Sequence, residues 1–284
     1  MERESLLAIL IILLGGLTFQ LFAAWPMFFA SGVRTDQPSA ARQLEQRYWY
    51  AVWRPAAPAV MVVAWLCGWA LSQPDPVPHH VGWWVMIAPL PFALVVTRAL
   101  LRAGWSLWGP ARDHGIATVG LIRPQILFAP EIAKALDDRA IEAALAHQRA
   151  RVRHRDPLRI WLAQFVTDLQ WPWGAAQRRL SDWLQALECA RDEEVRAAGV
   201  EGADLAAAVL GSVRFQLRDT PAEPALRGAP SALTARIGRL LTPLCASAPR
   251  ESRVLAHAGS LLLGLLSAVA LGLVCGERLI GPLL

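Results

Sequence analysis

Four long apolar runs constrain this 284-residue chain more than any motif in it. They lie near Leu6 to Phe29, Ala51 to Leu71, Val81 to Leu101 and Val254 to Cys275. Each approaches the roughly 20 residues that a helix needs to cross a ~30 Å hydrocarbon core. Composition points the same way, since 55% of the residues are hydrophobic, the mean hydropathy is positive and 13 residues are Trp. The expected fold class is therefore mainly α, a polytopic membrane protein with about four transmembrane helices. The first run begins after Glu2-Arg3-Glu4 and lacks a small-x-small exit, so a retained span is expected there rather than a cleaved leader. Trp25, Trp49, Trp53, Trp69, Trp83, Trp84, Trp105 and Trp108 gather near span ends, the ordinary aromatic belt.

The arginines give the expected orientation, because short cytoplasmic loops retain basic residues. Arg34, Arg42, Arg47 and Arg54 lie between spans one and two, whereas Gln73 to His80 holds no Lys or Arg, and Arg98, Arg102 and Arg112 follow. This pattern predicts an inner-membrane protein with both termini outside. Residues 1–103 would carry three spans with a short cytoplasmic loop at 31–50, residues 104–250 a cytoplasmic domain, and residues 251–284 the fourth span and tail. The net charge of +5 then serves orientation and contact with anionic headgroups. Nucleic acid is not an expected partner, because the basic residues are not interleaved with aromatics and no recognition motif accompanies them. Cys67, Cys189, Cys245 and Cys275 form no Cys-x-x-Cys pair, so neither a disulfide frame nor a thiolate zinc site is expected.

Within 104–250, Gly115 to Gly120 and Leu121 to Phe128 read as two short extended segments, a small β-hairpin. Asp137 or Asp138 can cap a helix running to about Arg155, where Asp156-Pro157 ends it. Further helices are expected at about 158–169, 175–198, 203–217 and 232–241, with a Pro-rich loop at 219–231.

The runs Gly120 to Ile126, Leu145-Ala146-His147, Arg155 to Leu158, Trp171-Pro172, Glu188 to Asp192 and Arg236 to Leu241 resemble the M56 peptidases, membrane metalloproteases related to the M48 group. The resemblance implies three spans, a cytoplasmic zincin-like (gluzincin) helical domain, then a fourth span. The β-lactam sensors of that family continue into a large outer ligand-binding domain, whereas this chain ends nine residues past Cys275, so β-lactam capture of that kind is not expected. The family's chemistry rests on His-Glu-x-x-His: two histidines on one helix face and a Glu from another helix hold Zn²⁺, and the intervening Glu deprotonates the metal-bound water.

Carried over position by position, the resemblance keeps His147 as first ligand, Glu188 as third, and Asp192 as a partner that orients His147. Gln148 stands at the general base and has no proton-accepting group; Arg151 stands at the second ligand and has no lone pair to give. His154 is a poor substitute, since seven residues place it about 10.5 Å further along the helix. If the helices pack as in the family, Arg151 projects to the metal position and faces Glu188 and Asp192, with its own charge in place of the ion. Zinc is the cofactor the resemblance implies, and the substitutions weigh against its being held.

Two functions follow. One is a non-catalytic pseudoprotease that binds or scaffolds a protein or peptide partner at the membrane, with the segment at 121–128 either holding a peptide as an added strand or serving only as an internal edge. The other is a zinc endopeptidase with a rearranged site, cleaving a cytoplasmic regulator or membrane protein. In the last span Ser260, Gly264, Ala268, Gly272 and Gly276 form a small-residue ridge suited to close helix approach, within the chain or across an oligomer seam.

Overall fold

The computed structural model describes residues 2–24, 41–76, 82–108, 116–128, 136–219, 230–243 and 254–280, and the described chain is mainly helical. Helix α1 (Arg3–Ala24) contains one π-helical stretch at Ile11–Gly15. Helices α2 (Ala41–Trp53) and α3 (Ala56–Ser72) meet at a 46° bend. Helix α4 (Trp83–Leu107) completes the apolar set before the hairpin. Two helices, α1 and α4, are long and apolar enough to cross a membrane, and the bent pair makes a third if it counts as one span. The remaining elements are strands β1 (Ile116–Val119) and β2 (Gln125–Phe128), then α5 (Asp138–Arg153), α6 (Asp156–Leu169), α7 (Gly174–Ala197), α8 (Gly202–Asp219), α9 (Pro230–Leu241) and α10 (Val254–Ile280).

Part of the expected loop at 31–50 is helical from Ala41, because Leu44, Trp49 and Val52 recur at helical spacing and Trp49 and Val52 pack against α7. The break at Arg54 has a local cause. Pro55 lacks an N–H and disfavours helical backbone in the residue before it, so the helix ends and restarts at Ala56. The other part of that loop and most of the Pro-rich loop at 219–231 lie outside the described residues.

Two kinds of core result. Among the apolar helices, α10 packs along α3, and Leu6, Leu10, Leu66, Trp69 and Ile280 bury one another. The small-residue ridge is used within the chain here. A Cβ on Gly272 would stand 2.0 Å from the Trp65 carbonyl oxygen, one on Gly68 2.2 Å from that of Val269, and one on Gly276 2.7 Å from the Trp69 side chain. Backbones approach this closely only where side chains are absent.

The second core joins α5, α7, α8 and α9 through Ala143, Ala150, Val195, Leu205 and Leu240. The hairpin pairs antiparallel, Ile116 opposite Phe128 and Val119 opposite Gln125, and Ile116 packs with Ala140, Ala144 and Ala208. Gly120 opens its turn at φ +94°, a conformation that L side chains rarely adopt. Asp137 caps α5 by accepting from the Ala140 N–H at 2.7 Å. Between α5 and α6, Arg155 takes a left-handed φ of 52°, which reverses the chain and turns Asp156 inward.

Candidate functional site: a charge cluster between three helices

Helix α5 presents His147 and Arg151 one turn apart on the face toward α7, and α7 presents Glu188 and Asp192 at the same spacing toward α5. The sequence-predicted set therefore meets in space. His147 Nε2 lies 3.2 Å from Glu188 Oε2, and His147 Nδ1 lies 2.9 Å from Asp192 Oδ1. Arg151 Nη1 reaches to 3.7 Å of Glu188 Oε1, a longer ionic contact.

A further residue completes the cluster. Arg236, from α9, donates from Nε and Nη2 to the two oxygens of Asp192 at 2.7 and 2.9 Å, and its Nη2 stands 3.2 Å from Glu188 Oε2. That fork-to-fork pairing is the strong form of an arginine–carboxylate contact. The sequence reading missed Arg236 as a site residue, although a signal was present. Leu233, Ile237 and Leu240 form the apolar stripe of α9, and Arg236 lies within it, where a cation needs a buried partner.

The electrostatics follow from these contacts. Burial disfavours a charged His147, but the carboxylates of Asp192 and Glu188 outweigh it and raise the imidazole pKa. A carboxylate oxygen faces each ring nitrogen, at 3.2 Å for Nε2 and 2.9 Å for Nδ1. Desolvation pushes Glu188 up, yet His147, Arg151 and Arg236 hold it far below the usual carboxylate range. Asp192 is likewise lowered against its burial by His147 and Arg236. Burial works against the charge on Arg236, but Asp192 and Glu188 raise its pKa above the ordinary value. Two guanidiniums and an imidazole thus surround two carboxylates.

This donor set does not fit zinc. Among the described residues no group of three His, Cys, Asp or Glu side chains converges as a metal site requires. Two guanidiniums stand on Glu188, the carboxylate to which the resemblance gives the third-ligand role.

The other two expected site residues point elsewhere. Gln148 faces the hairpin, where its Oε1 accepts from Thr118 Oγ1 at 2.7 Å and its Nε2 donates to the Ile116 carbonyl at 3.3 Å. Gln148 is thus a strut between α5 and β1. His154 turns from the cluster, its Nε2 2.7 Å from Glu194 Oε2, with Arg153 on the other oxygen at 2.8 Å. It lines a cavity of about 260 Å³ with Arg42, Glu45, Trp49 and Arg159, separate from His147.

A second ionic network ties this region together. Arg191 holds buried Asp156 through two hydrogen bonds, at 2.6 and 2.8 Å. Arg159 bridges Asp156 and Glu45, and its guanidinium lies over the Trp49 ring at 4.9 Å. Comparison with family models, with characterised proteins and with solved structures finds no match to this chain.

Proposed function

We propose that this chain is an integral membrane protein of M56-peptidase type whose protease-like domain, residues 104–250, has lost zinc chemistry and acts as a non-catalytic binding or regulatory element on the cytoplasmic side. The observation that carries this reading is the pair of arginines on the carboxylates. Arg151, at the second-ligand position, and Arg236 both contact Glu188, and Arg236 grips Asp192 as well. In a zinc site the ion would join those helices; here guanidiniums join them. Gln148 supports the same reading, because an amide cannot take a proton from water and this one is engaged with β1.

The partner on this reading is a protein or peptide. Leu127 and Phe128 of β2 are exposed beside the cluster-bearing domain and suit an extended segment added to the hairpin. The three-span, domain and fourth-span order assigns residues 1–103 and 251–284 to the membrane, with both termini outside.

The test rebuilds the missing chemistry. Gln148→Glu with Arg151→His, made together in the full chain, is expected to gain one zinc that departs again on adding His147→Ala. The wild type is expected to cleave no unfolded protein substrate. A double variant without zinc would mean that the framework is not a zincin frame, and metal-dependent cleavage by the wild type would replace this reading with that of an active peptidase.

A further inference from the structure

Helices α1 and α4 both make polar contacts with α6 and the turn after it, which contains Trp171-Pro172-Trp173. Gln20 on α1 donates to the Leu169 carbonyl at 2.8 Å and accepts from Trp173 Nε1 at 2.8 Å. On α4, Ser106 Oγ and the Ala103 carbonyl accept from Trp161 Nε1 at 3.1 and 3.3 Å. At 1.5 Å per residue, Gln20 lies about 25 Å along α1 from Arg3, and Arg98 and Arg102 lie about 22 and 28 Å along α4 from Trp83. A hydrocarbon core of about 30 Å ends near that depth.

At this level two arginines face one acid. Arg98 Nη1 and Arg102 Nη1 lie 3.9 and 3.6 Å from Asp168 Oδ1, beyond hydrogen-bond distance, so the carboxylate balances one charge without consuming the guanidinium donors. Arg98 Nη1 is buried and makes no hydrogen bond among the described residues, and its guanidinium lies 5.2 Å from the Trp171 ring centroid. Arg102 is 53% exposed. Around the pair, Leu94, Leu101 and Trp105 are exposed on α4, as is Trp171 beyond α6. Among the described residues, two guanidiniums facing one carboxylate, an Arg98 Nη1 without a hydrogen bond, an amphipathic aromatic rim and an apolar flank therefore occur together near the end of α4.

We infer that Arg98 and Arg102, with Trp171 and Trp105 at the rim, form a seat for the phosphate of an anionic glycerophospholipid. Its acyl chains run along the exposed face of α4. The guanidinium pair takes the phosphate oxygens, Arg102 from the open side, and Asp168 holds the pair in place. The inference rests on the membrane reading above.

The full chain in mixed micelles distinguishes the two. Phosphatidylglycerol, against an equal fraction of phosphatidylcholine, is expected to raise the wild-type unfolding midpoint by about 5 °C. Arg102→Gln is expected to lose most of that shift, whereas Arg102→Lys and Arg278→Gln, the latter near the end of α10, keep it. Lipid retained by the wild type from an equal mixture, read by native mass spectrometry, is expected to favour phosphatidylglycerol about tenfold, a measurement that needs no variant. Equal retention of both lipids, an Arg102→Gln shift equal to wild type, or the same stabilisation by inorganic phosphate alone would overturn the lipid seat. Release of the chain from membranes by alkaline carbonate would instead overturn the membrane reading, whereas retention without lipid preference overturns this inference alone.

Discussion

At the residue scale, the cluster works as a charge balance whose members can be weighed separately. Removing Arg236 takes away two hydrogen bonds to Asp192 and the nearer of the two arginines on Glu188, so Arg236→Ala is expected to cost about 3 kcal/mol. Arg151→Ala removes only a 3.7 Å contact and is expected to cost less than about 1 kcal/mol, an ordering that thermal unfolding of both variants checks. The sign for His147 is fixed by its raised pKa. Its contribution is complete below the unfolded value near ~6.5 and fades as pH rises through the higher folded value. Wild type should therefore lose its stability advantage over His147→Gln as the solution is made alkaline, and parallel pH profiles would contradict this. Glu188 runs the other way: with its pKa lowered, its contribution is complete above the ordinary value of 4.5 and fades progressively as the pH falls below it. The resemblance singled out His147, Arg151, Glu188 and Asp192 together, and the i, i+4 spacing put each pair on one face of its helix. That spacing could not show Arg236, which arrives 44 residues after Asp192 on a separate helix, nor that Gln148 would turn to Thr118.

At the element scale, the helices that carry the cluster are held by buried ion pairs and the apolar helices by missing side chains. Asp156 is fully buried and doubly bonded by Arg191, so Arg191→Leu leaves it with only the longer Arg159 contact and is expected to cost about 3 kcal/mol, read as a fall in unfolding midpoint. Gly272→Ala pushes a methyl against the Trp65 carbonyl in the tight α3–α10 contact. It is expected to cost about 1–3 kcal/mol, while Ala at exposed Gly238, where nothing lies within 4 Å, should be tolerated. Element boundaries were largely legible: hydrophobic period, the Asp137 cap and Asp156-Pro157 lie close to the observed limits of α5 and α6. The region before span two was not, because its arginines read as loop while its apolar residues bury against a helix more than a hundred residues later. That burial is a tertiary effect that local composition does not encode.

At the scale of the whole molecule, the apolar helices and the charge-bearing region are joined near the ends of α1 and α4, where Gln20, Trp161, Asp168 and Trp173 make contacts, and along α2, where Trp49 and Val52 pack against α7. The mainly helical plan and the apolar runs could be read from the sequence because both depend on period and length. The mutual packing of α3 and α10 was legible only as a ridge of small residues open to two uses. The central claim is that arginine stands in for metal in this domain, and metal content tests it most directly. The full chain, purified from a zinc-supplemented culture without chelator, should carry no more zinc than its His147→Ala and Glu188→Ala variants. One tightly held zinc per wild-type chain, lost in both variants, would contradict the account and restore a metal centre to His147 and Glu188.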